Sequence, residues 1–142
     1  MSTSGGGTAE GVFEATLRDL LSSGHAARFR AEGDSMHPVI RGGDYVQVVP
    51  CAASELQRGD IILAATARGL TAHRIVRISR RGIVTRGDNS LRADPAVDAA
   101  NVLGRITIIE EITGHSRPFD KSVKIISLAA RFVRRLRKRF QH

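Results

Sequence analysis

Three short turns of nearly the same composition punctuate the middle of the chain: Arg41-Gly42-Gly43-Asp44, Arg58-Gly59-Asp60 and Arg86-Gly87-Asp88. Glycine supplies the positive φ of a tight turn, and aspartate hydrogen-bonds its own nearby backbone. The segments between them are short and rich in Val and Ile. Tyr45 to Val49, Asp60 to Ala65, Thr71 to Ile78, Gly82 to Arg86 and Val102 to Ile112 read as strands, and Ala27 to Glu32 alternates ahead of them. The stretch from about Ala26 to Ile112 is therefore expected to be a mostly β body. Turn chemistry before a strand accounts for the Arg-Gly-Asp tripeptides without an adhesion role.

Helices are expected only at the ends. Val12, Phe13, Leu17, Leu20 and Leu21 recur at helical spacing over Ala9 to Ser22, and Gly24 is a stop signal. From Lys121 to Phe140, Ile125, Leu128, Ala129, Phe132, Val133, Leu136 and Phe140 fall on one helical face and basic residues fill the other. The expected organisation is a disordered lead-in over 1–8, one mainly β domain over 9–115, and a basic amphipathic helix over 120–142.

Charge separates the same parts. The formal net charge is +8, yet residues 1–120 hold 14 basic and 14 acidic side chains. The last 22 residues hold eight basic side chains and no acid. A body without net charge gives no electrostatic reason to expect nucleic acid, and 4% aromatics without Trp offer little for base stacking. The tail has the pattern of an interfacial helix on anionic lipid. Its alternatives are a helix packed on the body and a docking helix for a partner.

Cys51 is the single cysteine, so no internal disulfide forms. No run of 18 apolar residues is present, and Met1 to Ala9 lacks the basic start and apolar block of a secretory signal. Neither a membrane span nor a leader is expected, and the location expected is cytoplasmic or peripheral to a membrane. His25, His37, His115 and His142 show no metal-ligand spacing with Cys51 or one another, so no metal or other cofactor is expected.

Three segments carry candidate chemistry. Gly33-Asp34-Ser35-Met36-His37-Pro38 puts a serine in a turn after a strand. Thr71-Ala72-His73-Arg74-Ile75-Val76 puts a histidine inside an apolar strand, where a lone imidazole is more often structural. Arg86-Gly87-Asp88-Asn89-Ser90 is followed by Asp94-Pro95, two carboxylates that serve equally as turn and capping groups. Together they supply a hydroxyl, a base and an acid to fix the base's tautomer.

The wording of these segments resembles a known superfamily. Ser35-Met36-x-Pro38 is similar to the nucleophile box of type I signal peptidases and of self-cleaving repressors of the SOS and phage type. The Gly33-Asp34-Ser35-Met36 form is closest to the repressor branch. Arg58-Gly59-Asp60-Ile61-Ile62 resembles the second box. His73-Arg74-Ile75-Val76 stands where most bacterial members carry a lysine base, and resembles the histidine version of archaeal and endoplasmic-reticulum-type signal peptidases. Gly87-Asp88-Asn89-Ser90 resembles their Gly-Asp-Asn-Asn box, with Asp94 following at the same interval as their second aspartate. The resemblance covers about Arg30 to Ile106. The only lysines are Lys121, Lys124 and Lys138, so the body offers no lysine base.

The resemblance implies a signal-peptidase-like β fold and serine endopeptidase action on a peptide or leader segment, with small side chains beside the cut. Ser35 is the implied nucleophile, His73 the base, Asp94 its orienting acid, and Asp88 a loop support or a sharer of that role. Met36, Asp34 and Pro38 are implied to lie at the substrate. Asp34 departs from the Ser or Gly common before the nucleophile of signal peptidases, which motivates the alternative of a non-catalytic peptide-binding module. A self-processing regulator is the other alternative. Against it, the region before the body is too short for a helix-turn-helix domain, and no Ala-Gly or Cys-Gly pair precedes Ser35.

Overall fold

Two of the three glycine–aspartate turns close in the same way. At each, the aspartate carboxylate accepts the N–H three residues back, and that residue's carbonyl accepts the aspartate N–H. Asp44 Oδ2 takes Arg41 N–H at 2.8 Å and Asp60 Oδ2 takes Gln57 N–H at 2.8 Å. Gly43 and Gly59 both sit at φ +96°, which only glycine adopts cheaply. The third turn departs from this pattern: Gly87 is not at positive φ, and Asp88 faces an arginine.

These features belong to a computed structural model that describes residues 9–119. The expected lead-in and the expected helix over 120–142 lie outside the described residues. The elements are α1 (Ala9–Ser22), β1 (Ala27–Arg30), β2 (Tyr45–Val49), β3 (Ile61–Thr66), β4 (Gly69–Ser79), β5 (Gly82–Arg86), β6 (Val102–Glu110) and β7 (Ser116–Pro118). All strand pairs are antiparallel, in the order β1-β2-β6-β3-β4-β5, with β7 on β6. The protein is thus mainly β with one helix among the described residues.

β3 holds the centre. Ile61, Ile62, Leu63 and Ala64 are all buried, so the strand reads as a continuous apolar run rather than an alternation. Ile61 and Leu63 join the larger cluster with Val46, Val48, Ile106 and Ile109. Ile62 and Ala64 join Leu56, Ile75 and Ile83 in a second cluster. Period-two alternation sends neighbouring side chains to opposite faces, so β3 joins two cores.

The helix closes the larger cluster with Leu17 and Leu21. Of the five residues expected on its apolar face, Val12, Phe13 and Leu20 stay exposed at 58%, 44% and 41%. Phe13 instead meets Phe29 of β1 edge to face. Strand ends also differ from the expected ones. The Ala27 to Glu32 strand stops at Arg30 because Gly33, at φ +78°, turns the chain. The last long strand stops at Glu110, where Glu111 and Gly114 form a turn. β7 carried no sequence signal: it is three residues long and ends in proline, which has no N–H for a ladder.

Candidate active site

The sheet brings three of the singled-out side chains into one chain of hydrogen bonds. Ser35 lies in the turn that follows β1. His73 lies on β4, opposite Ile62 of β3. Asp94 lies in the loop after β5, where its N–H donates to the Thr85 carbonyl at 2.7 Å. His73 Nε2 is 3.0 Å from Ser35 Oγ, and His73 Nδ1 is 2.6 Å from Asp94 Oδ2. A carboxylate only accepts, so the network assigns the proton to Nδ1. Nε2 is then free to accept the Ser35 hydroxyl proton.

Asp94 has a second donor that sequence reasoning missed. The Thr85 hydroxyl donates to the same Oδ2 at 2.8 Å. Thr85 is buried on the face of β5 that also buries Ile83. A hydroxyl at an apolar alternation position needs an acceptor, and that parity is the signal that points to it.

Asp88, a candidate for the acid, faces away from His73. It is buried and binds Arg74 through both carboxylate oxygens, at 2.8 Å each. The Arg74 guanidinium also donates to the Gly59 carbonyl at 2.9 Å and lies over the Phe119 ring. Arg74 therefore ties β4 to the second glycine–aspartate turn and to the 87–90 loop. That loop in turn grips the serine turn: Asn89 N–H donates to the Ser35 carbonyl at 2.9 Å, and Asn89 Nδ2 to the Asp34 carbonyl at 3.2 Å. Asp88 thus belongs to the pair with Arg74 and not to the chain of hydrogen bonds from Ser35 to Asp94.

Gly87 explains why the third turn differs. A Cβ there would lie 2.6 Å from the Ser35 carbonyl oxygen and 3.2 Å from His73 Nε2. The chain passes so close to the serine and histidine that only glycine fits.

The three residues expected at the substrate separate. Met36 is buried in the larger core, its sulfur accepts the Asp88 N–H at 3.4 Å, and it lines a cleft beside Ser35. Asp34 is exposed and Pro38 half-buried, and neither lines that cleft. The Gly33 turn sends the Asp34 side chain to solvent, and the His37–Pro38 peptide is cis. Among the described residues, none accepts a hydrogen bond from the Ser35 N–H.

The cleft has a volume of about 990 Å³ and holds Ser35 and His73. Its walls come from β1 (Arg28 to Arg30), the start of β4 (Gly69 to His73) and the N-terminal part of α1. Among the described residues both strands offer it a free edge: β1 pairs only with β2, and β4 pairs with β5 only from Arg74 onward. Among the described residues no group of His, Cys, Asp or Glu is placed to hold a metal ion. No helix among them is long and apolar enough to cross a membrane.

A family model described as Peptidase S24-like matches residues 8–107, which span α1 to β5 and the first part of β6. The chain belongs to the Peptidase S24-like family. Comparison with curated proteins and with solved structures gave no match. Membership of the Peptidase S24-like family bears out the superfamily read from the four boxes, and at the family level it suggests a serine-peptidase or self-cleaving repressor-like function. The family also includes members that do not catalyse.

Proposed function

We propose that the protein is an active serine endopeptidase of signal-peptidase type that cleaves a peptide or leader segment through Ser35, His73 and Asp94. The observation that carries this reading is the continuous path from Ser35 Oγ through the His73 ring to Asp94 Oδ2, at 3.0 and 2.6 Å. Histidine in the base position makes the site similar to archaeal and endoplasmic-reticulum-type signal peptidases rather than to members with a lysine base.

The steps follow from the proton positions. Ser35 Oγ attacks the scissile carbonyl while its proton passes to His73 Nε2, leaving an imidazolium. Asp94 faces the Nδ1–H and stabilises that charge, held in place by the Thr85 hydroxyl. The imidazolium gives its proton to the leaving amine, and the acyl group stays on Ser35. Water then attacks the acyl carbon with His73 as base, releasing the acid and restoring the hydroxyl. The open Ser35 N–H is the donor for the oxyanion. Asp34, exposed and off the cleft, does not oppose it.

The substrate enters as an added strand. The free edges of β1 and of β4 from Gly69 to His73 flank the cleft, and extended peptides bind such edges through main-chain hydrogen bonds. Incubating peptides with purified wild-type and Ser35→Ala protein tests the reading. Cleavage by wild type alone is expected, and equal cleavage by both proteins overturns it.

One observation favours self-processing as a second reading: Ala9 and Gly11 of α1 line the same cleft as Ser35. The N-terminal end of α1 therefore lies at the cleft that holds the nucleophile. Intact-mass measurement of the purified chain over time separates the readings, since only self-processing shortens the wild type without added peptide.

A further inference from the structure

Residues 61–87 contain six arginines and no acidic residue. The zero net charge of residues 1–120 hides this asymmetry. Arg74 is held by Asp88, and Arg68 lies at the cleft. The other four, Arg77, Arg80, Arg81 and Arg86, all belong to the β4–β5 hairpin and are exposed. None of them has an ion-pair partner among the described residues.

The hairpin has a distinct tip. Ser79 pairs with Gly82, so Arg80 and Arg81 alone form its loop. Adjacent guanidinium groups repel, and nothing described nearby relieves them. Beside them Ile78 is 46% exposed, although its cross-strand partner Ile83 is buried in the second core. An apolar side chain flanked by cations at the end of a two-stranded arm is the chemistry of an anionic lipid interface. The arginine charges meet headgroup phosphates and carboxylates, and the isoleucine enters the headgroup boundary. A single-strand binder would carry aromatic side chains on which bases stack. Residues 76–84 contain none.

We propose that the tip of the β4–β5 hairpin, Ile78 with Arg77, Arg80 and Arg81, docks on anionic phospholipid surfaces. The proposal goes beyond the peptidase reading and does not depend on it. It does fix a geometry for that reading. His73 on β4 and Arg80 in the loop just past it lie seven residues apart, which at strand rise is about 23 Å. A docked tip holds the catalytic cleft at about that distance from the headgroups, in reach of a membrane-anchored peptide.

The test uses the full chain, so residues 121–142 stay intact in every variant and cannot account for a difference. Partitioning onto phosphatidylserine–phosphatidylcholine vesicles is measured for wild type, Arg80→Gln/Arg81→Gln and Ile78→Ser, with melting curves recorded for each. Removing two charges near an anionic surface is expected to weaken partitioning about 30-fold. Ile78→Ser is expected to weaken it severalfold with all arginines present. Unchanged partitioning in both variants overturns the proposal. So does a result in which Ile78→Ser has no effect on vesicles while Arg80→Gln/Arg81→Gln loses binding to duplex DNA, since that assigns the arm to nucleic acid.

Discussion

Gly87 and Ser35 touch so closely that a Cβ on the glycine would stand 2.6 Å from the serine carbonyl oxygen. The contact is backbone to backbone, so no flexible side chain can yield. Gly87→Ala must push the serine turn away from His73. Misplacement of reacting atoms by about an ångström costs on the order of 100-fold in rate. We expect Gly87→Ala to lose at least that much peptidase activity while its circular dichroism spectrum stays native. Wild-type turnover in the variant would mean that the close approach has no catalytic consequence.

Asp94 and Asp88 are expected to fail in different ways. Asp94 bonds His73, so Asp94→Ala should abolish most turnover and leave the fold standing. Asp88 bonds Arg74 in a buried pair, and removing one partner of such a pair costs about 3–5 kcal/mol. Asp88→Ala should therefore lower the melting temperature strongly, with activity lost as a consequence. Denaturant melts beside kcat for the two variants check this, and the reverse order would exchange the two roles.

Thr85 is a positioning residue for Asp94. A hydrogen bond to a charged group contributes about 1.5–3 kcal/mol, and about 1.4 kcal/mol is tenfold in rate. Thr85→Val should reduce kcat by about tenfold or more with KM nearly unchanged. Thr85→Ser should restore it, because the hydroxyl and not the methyl carries the effect. Equal activity in Thr85→Val and Thr85→Ser would leave Thr85 a packing residue.

Burial pushes the Cys51 thiol up from its ordinary value, against an opposing pull from Arg105. A raised thiol holds less thiolate at a given pH, and thiolate is the reactive form. Iodoacetamide should therefore label Cys51 more slowly in the native protein than in urea at the same pH, and the native rate should rise only at higher pH. Equal rates in the two states would show that burial does not protect the thiol.

The sheet was legible because its strands are short, Val- and Ile-rich and separated by glycine–aspartate turns. Tyr45–Val49 and Gly82–Arg86 begin and end as expected. The serine, histidine and Asp94 were legible through motif order, but their meeting was not, since only the fold sets distances across 59 positions of chain. Three features had weaker signals. Asp88 looks like Asp94 in sequence, and only Arg74, paired opposite Arg86, claims it. The third glycine–aspartate turn looks like the first two, yet its glycine serves a close approach instead of a positive φ. The helix face was overcounted because only Leu17 and Leu21 of the five are buried, while Phe13 meets Phe29 from the surface and Val12 and Leu20 stay exposed.

The central claim is that Ser35 is a nucleophile activated by His73. A fluorophosphonate probe tests it most directly, because it reacts with an activated serine and not with an ordinary one. Labelled protein is digested and the modified residue located by mass spectrometry, for wild type and His73→Ala. The account predicts a single adduct on Ser35 in the wild type and none in His73→Ala. No adduct on Ser35 in natively folded wild type, or one that survives His73→Ala undiminished, contradicts it.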